Sequence, residues 1–312
     1  MSGYIVRRLW QMIPTLAGVI LLIFFLFNWV GGDPSYVIAG LVADKAQIES
    51  IRRELGLDQP IYVQLWIFVK QALTFDFGTS WTTGEPVSRM LATRIPASLT
   101  VVVPLLIIET IIAVVVAIWI SWVRGGLLDR SVMVACTVGM SISILVFIIL
   151  GQYFLAYRLG WFPVQGWGTS LTQNLLVYAP LPILLGLIVS LAPNIRLFRS
   201  FVVEEIDQDY VRTARAKGLS NSRVLFVHVF RNALVPVITF VIVNLPGLLL
   251  GAFLLERFFG IPGIGREVIL AVERSDFPVI KAVTLVVAVA SMVFNLLGDL
   301  LYRYADPRVQ LR

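Results

Sequence analysis

Few residues in this chain are equipped for chemistry, and those few stand far apart. Glu109 is the single charged residue between Ile95 and Val123. A carboxylate isolated in an apolar stretch can relay protons or hold an ion, but that work calls for a Lys, Arg or His partner. None stands near it in sequence, so lining a pore or making a structural bond is the plainer reading. His228 is the only histidine and Cys136 the only cysteine. Metal sites need several clustered ligands and a disulfide needs two thiols. His228 therefore reads as packed beside Val224 and Leu225, and Cys136 as packed inside an apolar run; no metal is expected. There is no G-x-x-x-x-G-K-[ST], no H-E-x-x-H and no G-x-S-x-G, so neither nucleotide nor hydrolytic chemistry is written here.

One segment does concentrate recognition chemistry, from Asp209 to Leu219 (DYVRTARAKGL). It reads as a short helix from Tyr210 to Lys217 with Ala214 and Gly218 on one side and cations on the other, ended by a glycine. Small side chains permit close approach of a partner, and Arg212, Arg215 and Lys217 can meet acidic or carbonyl groups around a groove. Composition alone favours a solvated basic loop that obeys the positive-inside rule.

The elements that must carry these residues follow from hydropathy. Of 312 residues 58% are hydrophobic and 14% charged, with a mean hydropathy of +0.87, too little charge to cover a soluble surface of that length. The net charge of +6 sits between apolar runs and forms no stripe among aromatics, so nucleic acid is not the partner. A helical span needs about 20 apolar residues. Six runs qualify: Leu9 to Gly32, Ile95 to Val123, Ser131 to Tyr157, Leu175 to Ile195, Asn232 to Leu255 and Ala282 to Leu301. The first is too long for a secretory h-region and lacks a small-residue cleavage site, so it reads as a retained helix. The expectation is an all-α polytopic membrane protein.

Basic residues orient it. Arg7, Arg8, Arg124, Arg130, the seven cations from Arg196 to Arg231, and Arg303, Arg308 and Arg312 fall on one side, which places both termini in the cytoplasm. The chain then divides into an N-terminal span (1–30), a periplasmic loop (31–94) and a five-span core (95–312) with a cytoplasmic loop (196–231). In the outer loop, Asp44 to Gly56 reads as an amphipathic helix, and Pro60 opens a second one carrying Trp66, Phe68 and Leu73. Gly160 to Asn174 reads as loop. The inner loop reads as helices over Val202 to Asp209, Tyr210 to Lys217 and Asn221 to Asn232. In the fifth span Pro236, Asn244, Pro246, Gly247 and Gly251 fit either a broken helix beside a pathway or ordinary small-residue packing. With Glu109, the last four are the pathway candidates.

The Asp209–Leu219 segment resembles the EAA loop of binding-protein-dependent ABC permeases, in the variant of the oligopeptide/dipeptide/nickel group. The likeness continues through His228 to Leu234 and Pro236. It also covers Arg7-Arg8 with Pro14, Gly32-Asp33-Pro34, Leu55 to Asp58 with Pro60, Gly78-Thr79-Ser80, and Gly84 with Pro86-Val87. Beyond the fifth span it takes in Pro262 to Gly265, Asp276-Phe277-Pro278, Asp299 to Tyr302 and Asp306-Pro307-Arg308. The chain is similar to the B-type permease, with the long first outer loop. Arg212 fills the general glutamate position and Arg231 the trailing proline, as in that group; Phe75 to Gly78 stands where Gly-Asp-Leu-Gly is usual.

The resemblance implies a type I ABC importer transmembrane domain that pairs with a second, homologous permease. Two ABC ATPases would engage the segment formed by Asp209, Tyr210, Arg212, Thr213, Ala214, Arg215, Ala216, Lys217, Gly218 and Leu219. A periplasmic or lipid-anchored binding protein would dock near Gly260 to Asp276. Catalysis, ATP and magnesium would belong to the ATPases; this subunit would be no enzyme and hold no cofactor, and it would sit in the inner membrane among lipid. Peptides are the implied cargo, with glutathione or nickel as family alternatives. An ion-coupled secondary transporter acting alone would call for paired intramembrane charges and repeat symmetry, which the sequence does not display. A scaffold or insertase would use the basic loop on anionic lipid instead.

Overall fold

The computed structural model describes residues 2–30, 33–39, 44–249 and 253–305. Gly32, Gly251 and the Asp306-Pro307-Arg308 stretch lie outside these, as do Arg308 and Arg312. Every named element among the described residues is helical; the lone β-type contact is a bridge between Thr79 and Pro86.

Helix α1 (Ser2–Phe25) runs on through a wider turn, Leu26–Val30. It starts before Arg7 and Arg8, and Arg8 meets Asp299 at 2.9 Å. The outer loop carries α2 (Pro34–Ala39), α3 (Lys45–Glu54) and α4 (Ile61–Thr74). Asp44 caps α3 by accepting the Lys45 N–H, and Gly56 leaves it at φ +66°. Pro60 precedes α4, where its missing N–H costs nothing.

Helix α5 (Val87–Trp122) is 36 residues long and starts eight residues before its apolar run, taking in Arg89 and Arg94. Pro96 and Pro104 stay within it, and the Thr100 hydroxyl donates to the Pro96 carbonyl at 2.8 Å. The third run is where expectation and structure part. It is no single helix: α6 (Leu127–Ser141) and α7 (Ile144–Gly151, widening through Arg158) meet at 88°. Ile142 is extended, and the Ser143 hydroxyl accepts the Leu145 N–H, which starts a new helix where the apolar pattern is unbroken. Among the described residues five helices are long and apolar enough to cross a bilayer, and the bent pair makes a sixth if it counts as one span.

After the loop from Gly160, α8 (Leu171–Gln173) widens through Tyr178. Helix α9 (Pro180–Ile206) follows, with proline at its first turn. It absorbs Arg196, Arg199 and Val202, so the separate helix expected from Val202 to Asp209 does not exist; nothing between Asn194 and Ile206 breaks the turn. Then come α10 (Asp209–Ala216) and α11 (Asn221–Arg223), the latter continuous with α12 (Phe230–Leu249) through Val224–Val229. Leu255, assigned from sequence to the fifth span, lies instead in α13 (Phe253–Phe259). Helix α14 (Ile264–Glu273) and α15 (Phe277–Ala305) close the chain, α15 starting five residues before Ala282.

The most extensive contact joins α5 to α9, followed by α12 with α15. Small residues allow that approach: a Cβ on Gly186 would stand 2.9 Å from Leu105, and Ala113 and Ala117 are fully buried. Four apolar clusters are strung along α5, from Val87 and Met90 at its start to Ile118 near its end. Cys136 packs in the third, beside Ala192 and Phe198. Large apolar side chains such as Trp10, Leu127 and Leu176 face outward, as a lipid-facing surface requires.

Candidate functional site

At the C-terminal end of α5, α10 rests on an apolar footing. Val211 is wholly buried and Ala214 nearly so, against Ile118, Val202, Val224, Leu225 and Val229. This corrects the expectation that Ala214 faces a partner: its small side chain lets α10 lie close on its own chain. Val211, which the sequence reading passed over, is the stronger anchor; an apolar residue three before Ala214 is the signal that could have found it.

The opposite face carries Asp209, Arg212, Thr213, Ala216 and Lys217, all exposed. Arg212 reaches Asp209 at 3.2 Å, a surface pair in which both side chains stay largely in water. The Thr213 hydroxyl donates to the Asp209 carbonyl at 3.0 Å. Tyr210 is tied back, its hydroxyl donating to Glu205 at 2.5 Å. Burial, with Glu205 alongside, pushes its ionisation up to about 12, so it remains neutral at physiological pH. Gly218 ends the segment at φ +78°, with open space where a Cβ would stand. Its N–H donates to the Arg215 carbonyl at 2.9 Å, and half-buried Leu219 folds back onto the apolar footing. Arg215 instead borders a groove of about 440 Å³ with Arg124, Asp207 and Asn221. Arg124 is bonded to Asp207 at 3.0 Å. Asp129, itself buried, takes two bonds of 2.7 Å from Arg199, which locks the start of α6 to α9.

Midway along α5, Glu109 accepts a 2.8 Å bond from the Asn194 amide of α9, with Ser190 one turn earlier on its side. It makes no ion pair among the described residues. Its contacts run to α9, not to the other pathway candidates on α12. Asn244 is exposed and gives its amide to the Phe240 carbonyl at 2.7 Å. Gly247 is exposed, with open space among the described residues where a Cβ would stand. Helix α12 continues through Pro246, and Gly251 falls outside the described residues. His228 is half-buried.

The other end of the bundle holds polar contacts that the sequence reading missed. Glu256 of α13 is fully buried: Ser98 of α5 donates to Oε1 at 2.7 Å, and the Arg266 N–H at the start of α14 to Oε2 at 2.9 Å. Ser98 Oγ also accepts the Ile264 N–H at 2.8 Å. A carboxylate thus caps the positive end of α14 and ties it to α5. Asp276 performs a similar task one element on, taking the Ser80 hydroxyl at 2.5 Å and the Trp81 N–H at 3.1 Å. Gly78 and Gly84, both left-handed, turn the chain around this clasp. Lone carboxylates in otherwise apolar or turn-rich sequence were the only trace of either contact.

A comparison with known proteins agrees with this architecture. Residues 110–311 match the family described as binding-protein-dependent transport system inner membrane component, and residues 1–102 match its N-terminal counterpart. Similar relatives include a probable peptide ABC transporter permease of Sinorhizobium fredii, 34% identical over 99% of this chain and 100% of its own. A dipeptide transport system permease of Lactococcus lactis is 36% identical, with both chains fully covered. A glutathione transport system permease of Salmonella choleraesuis is 33% identical, again over the whole of both. With α10 seated across the end of a bundle of apolar helices, the chain belongs to the family of inner-membrane permease components of binding-protein-dependent transport systems.

Proposed function

We propose that this chain is one of two homologous permeases of an ATP-driven importer for peptides. Two ABC ATPases dock on α10, and a periplasmic or lipid-anchored binding protein delivers cargo at the α13–α14 end. ATP and magnesium belong to the ATPases, and this subunit binds no cofactor. The chain lies in the inner membrane with both termini cytoplasmic, the cationic α10 side inward. One observation carries the reading: α10 is fixed from beneath by Val211 and Ala214 while Arg212, Ala216 and Lys217 stay exposed toward a partner. The names of the peptide, dipeptide and glutathione relatives support the cargo class.

In this mechanism ATP binding draws the ATPases together, and α10 carries that displacement into α5, α9 and α12 through its apolar footing. The pathway then opens outward, and hydrolysis resets it. Glu109, engaged by an amide and by no cation, serves as a polar contact between α5 and α9. The test is uptake of a labelled dipeptide by proteoliposomes holding the reconstituted complex, with ATP inside and no ion gradient. Uptake should require ATP and co-purifying ATPases. Uptake driven by a gradient alone, indifferent to ATP, would instead identify a secondary transporter.

A further inference from the structure

Beside the Asp276 clasp lies a cavity of about 460 Å³ between the outer end of α1, the end of α3, α4 and the first turns of α15. Its walls are aromatic: Phe24, Phe27, Phe68, Phe77, Trp81 and Phe277 all border it. Arg53, Gln64, Gln71 and Thr79 also line it, and two further nitrogen donors stand among the rings. Lys281 holds its ammonium 5.4 Å from the Phe27 ring centre and 5.3 Å from that of Phe68, and it forms no ion pair among the described residues. Asn28 also lines the cavity, and its amide nitrogen is buried without a hydrogen-bond partner. A buried donor left unmatched is costly, so the Asn28 amide beside the Lys281 ammonium asks for an acceptor that the described residues do not supply. Glu54, which also lines the cavity, is exposed and has Arg53 beside it in the chain.

We propose that this cavity binds the free C-terminal carboxylate of a short hydrophobic peptide, with Lys281 and Asn28 as its donors and the aromatic walls around its side chains. The peptide class rests on the function proposed above; the demand for an anionic acceptor on an apolar body rests on the cavity alone. A carboxylate takes a bond from each donor and offsets the lysine charge, whereas an amide keeps an acceptor but brings its own unmatched N–H groups. Ring faces on several sides suit leucine or phenylalanine side chains and disfavour charged ones. The cavity would thus hold cargo on the outer side, before or during entry to the pathway.

The test uses the full chain in lipid nanodiscs, with labelled leucyl-phenylalanine, its C-terminal amide, and octanoate as probes. The free dipeptide should bind saturably, and the amide roughly tenfold more weakly or worse, as loss of a charge-assisted bond predicts. Lys281→Met keeps the apolar stem between the rings and should bring the free acid down to the level of the amide. Lys281→Gln and Asn28→Leu, each checked for unchanged thermal unfolding, should do the same. Equal binding of acid and amide by the wild type would overturn the proposal, as would a preference that survives Lys281→Met. Lys281-dependent binding of octanoate without any binding of the dipeptide would overturn it too, by assigning the site to a lipid carboxylate. The importer reading is tested apart from this: ATP-driven uptake that persists while the acid preference is absent removes the site and leaves the function standing.

Discussion

At Gly263 a single hydrogen separates a fitting side chain from a clash. A Cβ there would overlap the Glu256 carboxylate and the Ser98 hydroxyl. Gly263→Ala should therefore destabilise the permease by about 1–3 kcal/mol through overpacking. Glu256→Gln should cost a similar amount, about 1–3 kcal/mol, because its one carbonyl oxygen cannot accept both the Ser98 hydroxyl and the Arg266 N–H in the places the two carboxylate oxygens hold. Because Glu256→Ala removes the carboxylate that the new Cβ would strike, the loss in the Gly263→Ala, Glu256→Ala double variant should fall short of the summed losses of Gly263→Ala and Glu256→Ala alone. Thermal unfolding of these variants in detergent checks this, and strict additivity would show that the two residues act independently. At the α10 end, Ala214→Trp should unfold the permease's own footing, whereas Arg212→Glu and Lys217→Glu should leave its unfolding temperature within about 1–2 °C, as surface changes do, and weaken ATPase association. Gly218→Val forces a branched residue to φ +78° at a cost of about 1–2 kcal/mol. Since nothing crowds that position, its penalty is conformational and not a collision.

Elements were legible wherever the chain announces them with apolar length or turn chemistry. The ends of α3 and α10 follow from Gly56 and Gly218, and the start of α4 from Pro60. The 88° bend between α6 and α7 was not legible, because Ile142 and Ser143 interrupt neither apolarity nor, on their own, helicity. There the local cap at Ser143 and packing against α9 decide. Ser143→Ala should cost about 1 kcal/mol by removing the cap, and cysteine pairs across the bend should report a wider angle between α6 and α7; an unchanged angle would assign the bend to packing alone. The same limit hid Glu256, whose partner Ser98 lies 158 residues away. It also misdirected the reading of Ala214. A short helix with one small residue per turn cannot reveal from sequence which of its faces is buried; three-dimensional contact with Val224 and Leu225 settles that.

For the whole molecule, the proposed topology sets the ends of the bundle on opposite sides of a bilayer. In a Cys136→Ser background, cysteines at the exposed positions Ser50 and Ser220 should react with an impermeant thiol reagent from opposite faces. Reaction of both from outside intact cells would sink the orientation. One feature ties these sides mechanically. Helix α5 reaches the Glu256–Ser98 contact about a third of the way along and the footing of α10 near its last turn, without a break among its 36 residues. At 1.5 Å per residue that is a strut of ~54 Å. A lever of this length needs little input: a tilt of about 5° around its midpoint moves each tip by roughly 2 Å and Ser98, about 10 Å from that midpoint, by roughly 1 Å, close to the margin between a hydrogen bond kept and a hydrogen bond lost. In the proposed topology Ser98 is therefore placed to register, as a making or breaking of the α14 cap, a push that an ATPase would deliver at α10 on the far side of the membrane.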